Sequence, residues 1–139
     1  MIKNFAHRGF SGRYPENTLL AFEKAIEEGV DGIENDVQLT KDGEIIIMHD
    51  ESVDRTTGGK GWVKDLTLAQ LKELTANEKY GDQFPAQRVP TLREYLELVK
   101  NEPIITNIEM KTGVFEYREM EQRLVDLLRE YKVEDRIII

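Results

Sequence analysis

Glu34 and Asp36 stand two residues apart in the stretch Gly29 to Asp50, which reads as a strand, a turn and a second strand. Side chains alternate across a strand, so the two carboxylates share one face. Burying them side by side without a counter-charge costs several kcal/mol, which points to a cation between them. The next apolar run, Ile45 to Met48, ends in His49-Asp50. A titratable imidazole arrives beside the carboxylates if the two strands are neighbours. These residue types suit a metal site with an acid/base histidine next to it.

The same chemistry recurs at other strand ends. The short run Ile2 to Ala6 stops at His7-Arg8, and the run Ile104 to Met110 carries Glu109 with Lys111 on one face. Glu34, Asp36 and Glu109 are hard oxygen donors suited to Ca²⁺ or Mg²⁺ rather than zinc. Arg8 and Lys111 supply positive charge for an anionic substrate, and Arg8 can grip a phosphate through two parallel hydrogen bonds. His7 and His49 provide one general base and one general acid. A metal, two cations and two imidazoles are equipment for breaking a phosphate ester.

Each residue also has a plainer reading. Glu34 and Asp36 fit a solvated edge strand, although Ile33 and Val37 beside them argue against full exposure. Glu109 and Lys111 fit a simple surface ion pair, worth under about 1 kcal/mol. A lone histidine is more often surface or core than catalytic, but this chain has two, and both end strands. Gly58-Gly59-Lys60-Gly61 lacks the spacing and the following Ser/Thr of a phosphate loop, and that reading is rejected. Trp62, Tyr80 and Phe84 fit apolar packing better than a pocket lining.

The elements that must position these groups follow in order. Phe10 to Pro15 reads as loop; Asn17 or Thr18 caps a helix with Leu19, Phe22 and Ile26 inward, and Gly29 closes it. Strand, helix, strand makes a βαβ unit with parallel strands. Asp42-Gly43 turns into the Ile45–Met48 strand. That link is too short for a helical crossover; an antiparallel pair and an extended stretch within a barrel both remain open. Residues 51–88 form a long excursion containing a helix capped by Thr67, with 77–88 as polar loop. Thr91 and Glu94 form a capping box ahead of a helix carrying Leu92, Tyr95, Leu96 and Val99. After Lys111 the periodicity predicts a helix over roughly 114–131, and Arg136-Ile137-Ile138-Ile139 reads as the start of a further buried strand. Strands alternating with helices indicate an α/β fold with a parallel sheet, whose strand ends build sites.

With 139 residues the chain is one domain in size, and 40% apolar with 33% charged residues describes a globular protein. A net charge of −8 argues against nucleic acid or an anionic membrane as a non-specific partner. The absence of cysteine excludes disulfides and thiolate chemistry. No apolar run approaches the roughly 18 residues of a membrane span, and the first residues lack a signal-peptide core, so the expected location is cytoplasmic.

Seven segments stand in a shared order: Ala6-His7-Arg8-Gly9, Pro15-Glu16-Asn17-Thr18, Ile33-Glu34-Asn35-Asp36-Val37, Thr40-Lys41-Asp42-Gly43, His49-Asp50, Arg55-Thr56-Thr57 and Asn107-Ile108-Glu109-Met110-Lys111. Together they resemble the glycerophosphodiester phosphodiesterase family over essentially the whole chain. The resemblance implies a TIM (β/α)8 barrel of the α/β class. Residues 1–139 would be its N-terminal part, a single incomplete barrel domain truncated near the fifth strand, with 51–88 as the family's insertion. It implies metal-dependent hydrolysis of glycerophosphodiesters to glycerol 3-phosphate and an alcohol, with Ca²⁺ or Mg²⁺. Matched by motif, His7 and His49 become the acid/base pair, Glu34, Asp36 and Glu109 the metal ligands, and Arg8 and Lys111 the substrate-binding cations. In the family's usual picture the glycerol hydroxyl attacks phosphorus and water opens the resulting cyclic phosphate. Two alternatives stand beside this reading: a related phospholipase C-like or lysophospholipase D phosphodiesterase, and a non-catalytic truncated barrel fragment acting as an assembly module.

Two departures from the family pattern carry consequences. Asn35 stands where the family usually has an apolar or bulky residue and, by alternation, points toward the helix layer, where an unpaired amide costs about 1–3 kcal/mol. A TIM barrel needs about 250 residues. The expected partners, besides a small glycerophosphodiester, are therefore a missing C-terminal half or a second copy closing the barrel.

Overall fold

The sheet is laid out around one strand, β2 (Gly32–Leu39), in a computed structural model that describes residues 1–139. β1 (Phe5–His7) runs parallel to the first half of β2, with His7 beside Glu34. β4 (Ile105–Met110) runs parallel along most of its other edge, placing Asp36 opposite Glu109. β5 (Ile137–Ile138) extends the sheet from β4, giving the order β1-β2-β4-β5, but Ile138 and Ile139 are exposed rather than buried as expected, because nothing pairs or packs beyond this edge. β3 (Ile45–Ile47) pairs antiparallel with the last three residues of β2, beyond the end of β1. The turn that reverses the chain places Gly43 at φ 85°, and the Thr40 and Glu44 backbones bond across it at 2.9 Å. This settles the open question of that connection: the pair is a hairpin. Ile137–Ile138 is thus the fifth strand along the chain and the fourth of the parallel path.

Both faces of β2 are covered, since Gly32 to Gln38 are all buried. Ile33 and Val37 face outward onto α1 (Leu19–Glu27) and α4 (Leu92–Val99), where Phe22 and Tyr95 meet edge to face at 4.9 Å. Each such buried side chain contributes roughly 1.5–3 kcal/mol. Tyr95 also ties its helix to β4, its hydroxyl lying 2.8 Å from Thr106 Oγ1. The helix starts follow the sequence expectation: the Thr18 and Thr91 side chains accept from backbone N–H groups one turn on, and Glu94 completes the capping box at Thr91.

Residues 51–88 hold α2 (Asp54–Thr57), α3 (Leu68–Glu73) and short 3₁₀ turns, packed over a second cluster of Ile46, Met48, Val53, Val63, Leu71, Ala76 and Val89. Alternate residues here therefore serve two cores: Ile45 and Ile47 join the helix-side core with Ile33 and Val37, whereas Ile46 and Met48, the residue after β3, join the second. The stretch 77–88, expected as plain loop, contains a 3₁₀ turn at Glu78–Gln83. Asn77 braces it, donating to the Pro85 carbonyl and accepting from the Gln87 N–H.

Two boundaries differ from the sequence reading. β1 begins at Phe5, because Met1 and Ile2 find no partner and stay exposed. The last helix, α5 (Met120–Tyr131), starts six residues later than expected. Phe115 packs edge to face on Trp62 and Tyr117 reaches the buried Gln38, partners that one helical face could not serve together. Glu119 then takes a left-handed conformation, φ 66°, at which the helix begins. No helix is long and apolar enough to cross a membrane.

Candidate active site

The inner face of the sheet carries the polar residues because β2 and β4 are in register. Glu34, Asp36 and Glu109 each offer an oxygen, and these oxygens lie within 4.8 Å of one another. A Ca²⁺ or Mg²⁺ ion bonded to oxygen at about 2.0–2.6 Å holds its ligands at that mutual spacing. Burial raises the pKa of Glu34, and the neighbouring Asp36 charge adds to the rise, although the Arg8 N–H opposes it. Asp36 is fully buried, and its Oδ1 has no hydrogen-bond partner. A buried carboxylate oxygen without a hydrogen bond, on a member of such a cluster, is what a hard cation would satisfy.

Arg8 sits where β1 ends, with its backbone in the left-handed region at φ 60°. Its N–H bonds the Glu34 side chain at 2.9 Å. Its guanidinium leans on Asp36 (Nε to Oδ2, 3.4 Å) and Glu16 (3.3 Å). Gly9, at φ 75°, follows because a Cβ there would meet the backbone of Ala21 at 2.8 Å. His7 is largely exposed, with Nε2 at 3.8 Å from Glu34. Across the cluster, Lys111 Nζ lies 2.8 Å from Glu109, 3.8 Å from Asp36 and 3.5 Å from His49 Nε2. The Glu109–Lys111 pair is thus more than the simple ion pair of its plainest reading, since the same ammonium also reaches a buried acid and an imidazole. Burial is the largest influence and disfavours the Lys111 charge, but the Glu109 hydrogen bond and the negative charges of Glu109, Asp36 and Glu51 together outweigh it and the pKa is raised. That bond conversely lowers Glu109.

All seven residues singled out from the sequence therefore border one region. A cleft of about 310 Å³ elsewhere, lined by Arg93, Arg123 and Glu130 among others, contains none of them.

The structure adds residues to which sequence reasoning gave no role. Asn17, considered only as a helix cap, is buried and donates to Asp36 Oδ2 at 2.9 Å. Asp50 accepts from His49 Nδ1 at 2.7 Å and from Arg55 Nε at 2.7 Å. Arg55 turns its other side to Glu16 with two bonds of 2.9 and 2.7 Å. A continuous line of charges runs from His49 through Asp50, Arg55, Glu16 and Arg8 to Asp36. Gln38 could have been found by continuing the alternation of Glu34 and Asp36 for one more step. Tyr117 carries no comparable signal.

Residues 7–139 match the glycerophosphoryl diester phosphodiesterase family. The chain belongs to that family. It is 51% identical over 134 residues to a glycerophosphodiester phosphodiesterase of Caldanaerobacter subterraneus, covering 96% of this chain and 55% of the relative. It is 45% identical over 140 residues to the Bacillus altitudinis enzyme of that name, covering all of this chain and 57% of the relative. Among solved structures, a glycerophosphodiester phosphodiesterase of Agrobacterium tumefaciens superposes with a TM-score of 0.88 at 32% identity, over 99% of this chain and 56% of that one. An Oleispira antarctica phosphodiesterase in complex with the product sn-glycerol-3-phosphate superposes at 0.83 with 32% identity, over 94% and 53%. The family's barrel is thus the frame into which the parallel path β1-β2-β4-β5 fits, and this chain spans about half the length of the relatives it matches.

Proposed function

We propose that this chain contributes the catalytic side of an enzyme that hydrolyses glycerophosphodiesters to glycerol 3-phosphate and an alcohol. The observation that carries the reading is the cluster of Glu34, Asp36 and Glu109, whose carboxylates offer oxygens within 4.8 Å of one another, with Asp36 buried and one of its oxygens lacking a hydrogen bond, and with histidines and cations at its border. Glu34, Asp36 and Glu109 would hold a divalent cation, Ca²⁺ or Mg²⁺, which when bound supplies Lewis-acid polarisation of a phosphoryl oxygen. His7 and His49 act as the acid/base pair, one taking the proton of the attacking hydroxyl and the other returning one to the departing alkoxide. Lys111 sits between Glu109 and His49, placed to hold a phosphate oxygen, and Arg8 adds a second positive charge.

The remainder of the barrel is supplied by a C-terminal half or by a second copy. β1 and β5 both end the sheet with a free edge, and a groove of about 340 Å³ lined by Phe5, His7 and Phe10 among others runs along β1.

The test is hydrolysis of glycerophosphocholine and glycerophosphoethanolamine by this chain and by a form extended to the length of its relatives, with and without chelator. Loss on chelation and in His7→Ala supports the assignment. Activity that survives both overturns it.

A further inference from the structure

Gln38 is fully buried two residues beyond Asp36 on the same face of β2. Its side-chain nitrogen faces three consecutive backbone carbonyls: Asp50 at 2.5 Å, His49 at 3.1 Å and Met48 at 3.3 Å. Only the NH₂ end of an amide can face three acceptors, so the orientation of the side chain is dictated. Its Oε1 then points the other way and accepts from the Tyr117 hydroxyl at 2.7 Å. Burial, with smaller contributions from Glu51 and Asp65, pushes the Tyr117 hydroxyl up to about 12, which keeps it a neutral donor. The amide therefore joins the segment carrying His49 and Asp50 to the segment that follows Lys111. Both segments leave strand ends without regular structure of their own at these residues.

We propose that Gln38 and Tyr117 are positioning residues for His49, the buried amide fixing the backbone at Met48–Asp50 so that the imidazole stands against Lys111 and the carboxylate cluster. The role in hydrolysis rests on the function proposed above; the positional claim does not. A backbone freed at this point displaces the ring, and a misplacement of about 1 Å can cost on the order of 10²-fold in rate.

The experiment uses the form extended to the length of its relatives, with Gln38→Met, which keeps the length and removes the hydrogen bonds, and Tyr117→Phe, which keeps the ring and removes one donor. The imidazole ¹H–¹³C signals of His49 and His7 are recorded at one pH. The expected result is a displaced or broadened His49 signal in both variants with His7 unchanged. An unmoved His49 signal, or equal changes at both histidines, overturns the proposal. Kinetics in the extended form add a second readout: kcat should fall about 10- to 100-fold with KM within about twofold. If the unsubstituted protein hydrolyses no glycerophosphodiester, the proposed function fails while the His49 signal still decides the positioning claim.

Discussion

His49 Nδ1 lies 2.7 Å from Oδ1 of Asp50, its neighbour in the chain. Asp50 is held at a pKa of about 2, first by the Arg55 hydrogen bond, against the opposing effect of burial, and then by His49. An ionised carboxylate only accepts, so Nδ1 carries the proton and, in the neutral ring, Nε2 is left as the basic nitrogen facing Lys111. The tautomer that the proposed proton transfer at Nε2 calls for is thus set by the residue next door.

Arg55 is the largest of the influences that lower the Asp50 pKa. A depressed carboxylate contributes stability that is fully present above its unfolded pKa of about 3.9 and is lost as pH falls through the folded value. Replacing Arg55 with Met should return the Asp50 pKa toward its ordinary value, lowering stability above about pH 4 and flattening the loss of stability as pH falls from about 4 to about 2. Urea unfolding between pH 2 and pH 5 checks this. An unchanged acid limb in Arg55→Met would show that Asp50 is not the group responsible.

Cation binding should appear as stability even without substrate. Ca²⁺ or Mg²⁺ at about 100 times its Kd stabilises the folded state by about 2.7 kcal/mol. Thermal unfolding with increasing metal should show a rising Tm in the unsubstituted chain and a flat response in Asp36→Asn. A metal-dependent rise that persists in Asp36→Asn would place the cation elsewhere.

Asn35 is buried with both side-chain polar atoms unpartnered, between Ile33 and Val37 on the helix-facing side of β2. Asn35→Val should stabilise the chain by about 1–3 kcal/mol through removal of an unsatisfied amide. Metal affinity should be unchanged, because that side chain faces away from Glu34 and Asp36. Denaturant titration and calorimetric metal binding measure the two effects separately.

Gly9→Ala combines a left-handed backbone with a Cβ 2.8 Å from the Ala21 main chain. The conformational cost alone is about 1–2 kcal/mol, and the contact adds to it. The loss should exceed that of Gly12→Ala, where a Cβ meets nothing within 4 Å and φ is not positive. Equal losses at the two positions would show that the tight approach of the β1–α1 turn to α1 matters little.

The free edges of β1 and β5 set an expectation for assembly. Light scattering of the 139-residue chain should show a species larger than the monomer, or an unstable chain rescued by the remaining half supplied in trans. A stable monomer with cooperative unfolding would contradict the closure proposed for the barrel.

Much of this protein was legible in its residues alone. Alternation placed Glu34 with Asp36 and Asn35 away from them, and the threonines at 18, 67 and 91 marked helix starts, because strand pleat and helix caps are decided within a few residues. The family's motifs named the seven residues that border the cluster. Packing decided the rest. Lys111 stands against His49, 62 residues away, only because β4 pairs with the opposite edge of β2 from the hairpin strand β3. Tyr117 meets Gln38 across 79 residues and thereby stops α5 from starting at Val114. Arg55 clamps Glu16 across 39 residues. No local pattern encodes such pairs, since each depends on which buried polar group is left in need of a partner once the strands are in register. The acids at 34 and 36 were a property of the sequence; the burial of Asp36 with one oxygen left without a hydrogen bond was decided by the fold.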